Sequence, residues 1–75
     1  SDAPAQVKCR LNHELAGLLT TMAIHMRSAR VLGIDHPLTR KVAAGFLRCF
    51  DEQLDWSLDD IPGEHLAYRA RLLGN

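Results

Sequence analysis

Seventy-five residues allow one small domain, since a chain of this size removes only about 60% of its unfolded surface from water. Nine basic and nine acidic residues cancel, which argues against a broadly basic nucleic-acid binder and leaves room only for a local patch. The four aromatic side chains, Phe46, Phe50, Trp56 and Tyr68, are too few for a platform that stacks bases, and no run approaches the roughly 20 apolar residues that span a bilayer.

Ser1 to Gln6 is a small polar lead-in. From about residue 5 to 31 the chain has no proline and one glycine, Gly17. On a helical wheel Val7, Leu11, Leu15, Leu18, Leu19, Met22, Met26 and Ala29 form one broad apolar stripe, which predicts a long helix facing a core. Gly33 suits the left-handed residue that ends it. Asp35-His36-Pro37 restarts the chain: proline fits a first helical turn, and Asp35 or His36 can cap. A second helix is expected over about 38–56, with Ala43, Phe46, Leu47, Phe50 and Leu54 on its apolar face and Val42 at the flank. The short linker makes the two helices antiparallel neighbours. Asp59-Asp60-Ile61-Pro62-Gly63 breaks the chain again. A short third helix follows over about 64–73, with Leu66, Ala70 and Leu73 on one side and Gly74 as its stop. No segment alternates with period two, so no strand is expected.

The expectation is therefore an all-α single domain over 1–75: an antiparallel helical hairpin plus a short third helix. The apolar stripe is wider than one partner helix covers. Self-association into a four-helix bundle is the expected remedy, and closure of a monomer by the third helix is the alternative. Cys9 and Cys49 form neither a CxxC pair nor a disulfide framework, which suggests a reducing, cytoplasmic setting.

Asn12-His13-Glu14-Leu15 sets a histidine beside a carboxylate in the first helix. His13 lies about 160° around the wheel from Leu15, so it should face away from the core, with Cys9, Gly17, Thr20, Ile24, Arg27 and Val31. It is then either an ordinary solvated histidine or a reactive one. A neutral imidazole nitrogen is a competent nucleophile towards a phosphoryl group, and a neighbouring carboxylate can orient the ring or take its proton.

The stretch His13-Glu14-Leu15-Ala16-Gly17-Leu18-Leu19-Thr20-Thr21-Met22 resembles the phosphoacceptor box of bacterial sensor histidine kinases, roughly His-Glu-Leu-Arg-Thr-Pro-Leu-Thr-x-Ile. Further on, Phe50-Asp51-Glu52-Gln53-Leu54-Asp55-Trp56-Ser57 looks like the end of that family's second helix. The resemblance covers about residues 7–58. It implies a dimerisation and histidine-phosphotransfer hairpin in which His13 accepts phosphate and Glu14 is the adjacent acid/base. Leu18 stands where the family has proline, so the helix kink is not expected. Gly17 stands where the family has Thr or Asn, which puts phosphatase activity in doubt. These residues contain no glycine-rich nucleotide box, so the chain is at most a phosphoacceptor, not a kinase.

The competing expectation is a non-catalytic regulator that binds and modulates another signalling or regulatory protein through its helical surface. Ile24 and Val31 on the outer face, Trp56 off the second helix's core stripe, and Arg40 and Lys41 at a basic hairpin tip are its candidate contacts. Cys9 and His13 share a face at metal-ligand spacing, but a structural zinc site wants four ligands and no second close pair exists. Neither metal nor cofactor is expected. His25 lies at the edge of the core stripe, and Cys49 reads as a small packing residue.

Overall fold

The computed structural model describes residues 4–52 and 58–74, with side chains from His13 to Asp51 and from Asp59 to Gly74. Every regular element among them is helical: α1 spans Pro4–Leu32, α2 Pro37–Glu52 and α3 Gly63–Leu72, with one 3-10 turn at Leu58–Asp60. At about 1.5 Å per residue, the 29 residues of α1 account for most of the 47 Å long axis. The expected contribution of Leu54 and Trp56 to the second helix lies outside the described residues, as do the side chains of Val7, Cys9 and Leu11.

The caps explain the boundaries. Gly33 adopts a φ of 99°, a left-handed conformation that side chains with a Cβ rarely take, so α1 stops there. The backbone N–H of Arg40 donates to the His36 carbonyl at 2.9 Å, making His36 the residue that opens α2. Its Nδ1 accepts from the Leu38 N–H at 3.1 Å, so His36 rather than Asp35 supplies the cap. Pro37 follows at the first helical position, where its missing N–H is no loss. In α3, Glu64 in the first turn and Arg69 and Arg71 in the last complement the helix dipole.

α2 packs along α1. Gly17 and Cys49, equally far along the chain on either side of Gly33, face each other: a Cβ on Gly17 would lie 3.8 Å from the Cys49 sulfur. The core gathers Leu18 and Met22 from α1, Phe46 and Phe50 from α2, and Ile61 and Tyr68 from the third segment, with Leu15, Leu47, Cys49, Leu66 and Leu72 packed at its edge. Tyr68 meets Phe46 edge-on, ring centroids 5.4 Å apart, so α3 bears directly on α2 as well as on α1.

Two expected faces are corrected. On α1, Leu19 and Met26 belong to the apolar stripe but are exposed, while His25 is buried. The covered line is Leu18, Met22 and His25, because α3 approaches from the His25 side and Tyr68 meets that ring. On α3 the buried residues are His65 and Tyr68, and Leu73 is exposed. A wheel that counts only aliphatic side chains misses a face built on a histidine and a tyrosine.

Phe46 is fully buried at the meeting of all three helices. Phe46→Ala should cost about 3–5 kcal/mol, against a total near 4–11 kcal/mol for a domain of this length. Leu38→Ala, at an exposed position of α2 outside these contacts, should change stability by less than about 0.5 kcal/mol. Urea unfolding followed by circular dichroism checks both.

Candidate functional site

His13 sits five residues before Leu18, the first buried residue among the described side chains of α1, and is exposed. Glu14 lies about 100° further round the helix and is half-buried. Its charge reaches Cys49 on α2: burial pushes the Cys49 thiol up, and the Glu14 carboxylate pushes it further. The two residues therefore face different surroundings, His13 towards solvent and Glu14 towards α2. Gly17, expected on the outer face beside His13, is instead turned to Cys49. Thr20, one turn beyond, is exposed and returns its hydroxyl to the Ala16 carbonyl at 2.8 Å.

Further along the same outer face Ile24 is 48% exposed and Val31 67%. With Arg27, Ser28 and Leu32 they line a shallow groove of about 290 Å³. Arg40 and Lys41 are both exposed in the first turn of α2. Arg40 borders a separate recess with His25 and Arg71, so the basic tip and the Ile24–Val31 groove are distinct surfaces. Trp56 lies outside the described residues. Among the described residues, no group of His, Cys, Asp and Glu side chains could hold a metal ion, and no helix is long and apolar enough to cross a membrane.

The most developed polar arrangement is one that residue spacing did not reveal. His25, 4% exposed, is hydrogen-bonded through Nδ1 to the Tyr68 hydroxyl. Burial holds the imidazole below its ordinary pKa, so the ring favours the neutral form. Burial also pushes the Tyr68 phenol up, partly offset by the Arg71 guanidinium, which lies 4.9 Å above the Tyr68 ring. A neutral imidazole that accepts at Nδ1 carries its proton on Nε2. The sequence signal was slight: His25 falls seven residues after Leu18, one stripe position on, and Tyr68 is the chain's single tyrosine.

A second buried imidazole is less provided for. His65 is 3% exposed, and neither ring nitrogen has a hydrogen-bond partner. At the other end of α3, Arg69 donates to Asp51 Oδ1 at 3.1 Å and lies 5.2 Å above the Phe50 ring. That partly exposed pair contributes at most about 1 kcal/mol, but it fixes the position of α3 against the end of α2.

Compared with protein-family models, with curated proteins and with solved structures, the chain matches none.

The His25 environment makes stability depend on pH with a definite sign. Above the ordinary histidine pKa of 6.5 the ring is neutral folded or unfolded and contributes no slope. As pH falls through 6.5 the unfolded chain takes up a proton that the folded ring resists, so stability declines until the lowered folded-state pKa is passed. Urea midpoints at pH 7.5 and 5.5 should differ more for the native chain than for His25→Gln.

Proposed function

We propose that this chain is a small regulatory helical-hairpin module that dimerises into a four-helix bundle and binds a second signalling or regulatory protein through the outer face of α1. The observation that carries this reading is the amount of large apolar surface left uncovered on α1: Leu19 and Met26 on one side of the core line, Ile24 and Val31 on the other. Isolated exposed apolar residues are ordinary, but contiguous sets of this kind mark interaction surfaces. Leu19 and Met26 continue the core stripe, so a second copy that laid the same stripe against them would extend one apolar seam across a two-fold axis. Ile24 and Val31 lie on the far side of the helix, outside that seam, and Arg27 beside them supplies a charge for the polar rim usual in such interfaces.

A second reading rests on the exposure of His13. In it the module is a histidine phosphotransfer domain: a phosphoryl group passes from a donor to an imidazole nitrogen of His13 and onward to a partner. An outward-facing ring on a helix suits relay between proteins better than reaction in a closed pocket. Glu14, turned towards α2, would influence the ring only across the helix surface. In either reading the setting is a bacterial cytoplasm.

Sedimentation equilibrium tests the dimer: the native chain should weigh as two copies at tens of micromolar, and Leu19→Glu as one. A native chain that stays monomeric at millimolar concentration overturns the seam. Phosphotransfer is tested by incubation with phosphoramidate, whose phosphoryl group would move to the ring with release of ammonia. Acid-labile phosphate on the native chain and none on His13→Gln is the result expected of that reading. Folded native protein that takes no label removes it and leaves the binding module.

A further inference from the structure

The end of the bundle where α1 gives way to α2 carries a recess with two lobes, of about 350 Å³ and about 340 Å³. His25, Ile34, Arg71 and Leu72 line both lobes; Met26, Ala29 and Tyr68 belong to the first alone, and Arg40 with Ala43, Ala44 and Leu47 to the second. The walls are mainly aliphatic, and each polar side chain in them (His25, Tyr68, Arg40 and Arg71) can donate a hydrogen bond. His25 is the deepest. Its Nδ1 is taken by Tyr68, its Nε2 is not sealed from solvent, and the residue lines both lobes. The tautomer that leaves a proton on Nε2 is the one in which the Tyr68 hydroxyl donates to Nδ1. Arg71 is parked over the Tyr68 ring, and neither it nor Arg40 forms an ion pair among the described residues.

One buried N–H donor and a guanidinium beside an apolar wall call for an anion with an apolar body. A carboxylate matches both: it is planar, accepts two parallel bonds from a guanidinium, and has a lone pair left for a neutral N–H. Each lobe lies at the lower end of the range for small-molecule sites, which limits the ligand to about ten non-hydrogen atoms. We propose that this recess is a binding site for a small aliphatic monocarboxylate, its carboxylate received by Arg71 and the Nε2–H of His25 and its chain laid along Ile34 and Leu72. The tyrosine organises the site from beneath, holding the imidazole by its hydroxyl and the guanidinium by its ring.

Octanoate is the probe, and the imidazole 15N and 1H resonances of His25 are the readout. Octanoate should shift them saturably, with half-saturation at roughly 1 mM for a ligand of this size. Octanol, with the same chain and no charge, should bind at least about tenfold more weakly, as should octanoate to Arg71→Gln. Ile34 is exposed in the connection, so Ile34→Glu should leave the helical circular dichroism unchanged and abolish octanoate binding by placing a like charge at the mouth. Because Met26 also lies on the face assigned to the second copy, the titration is repeated on Leu19→Glu. Saturation in either form supports the site, whatever sedimentation says of the dimer. No saturable shift in both forms, octanol binding as well as octanoate, or undiminished binding by Arg71→Gln each overturns it.

Discussion

The hydrogen bond between the Tyr68 hydroxyl and His25 Nδ1 is the contact on which the arrangement of three helices turns. Two rods packed along one line leave their cores open on the remaining sides. A third helix can close one of those sides only if it brings apolar area and satisfies whatever polar group lies there. Tyr68 does both. Its ring meets Phe46 edge-on, and its hydroxyl answers an imidazole that would otherwise be buried without a partner, at a cost of about 1–3 kcal/mol. Burial disfavours the charged form of both partners, so the bond joins two uncharged groups largely withdrawn from water, where such bonds strengthen.

The rest of the interior is less well provided. The Thr39 hydroxyl and both His65 nitrogens are sealed without partners. Such groups lower the stability of a domain that has little to spare at this length. Uncovered apolar residues on α1 act in the same direction, because they leave out of the core some of the side chains best suited to it. An unfinished core and an uncovered flank are complementary features. A module of this build gains more from a partner than a self-sufficient domain does, since a partner that binds only the folded form adds its affinity to the folding equilibrium.

Much of the fold was legible because punctuation in helical chains is local. Gly33, Pro37 and the Pro62-Gly63 pair mark helix ends through backbone geometry alone, and each stands at or beside a boundary of the structure. The outward direction of His13 followed from the 3.6-residue repeat for the same reason. The faces were less legible. Whether Leu19 or His25 turns inward depends on where a third helix lands, and that is set by a tyrosine 43 residues further on. Periodicity ranks positions by apolar character and so cannot anticipate a core position held by a polar pair. The recess at His25 was hidden for the same reason: its donors come from three elements, and no single stretch carries more than two of them.

Gly17 and Gly45 both lie within helices, where glycine is about 1 kcal/mol less favourable than alanine. Neither is required by space: a methyl group at Gly17 would make an ordinary contact with Cys49, and one at Gly45 would meet nothing. The backbone is thus softer than its packing demands at one point on each of the two longest rods. On α1 that point falls one turn after His13, so Gly17→Ala should firm the helix beside the exposed imidazole without disturbing the contact with Cys49.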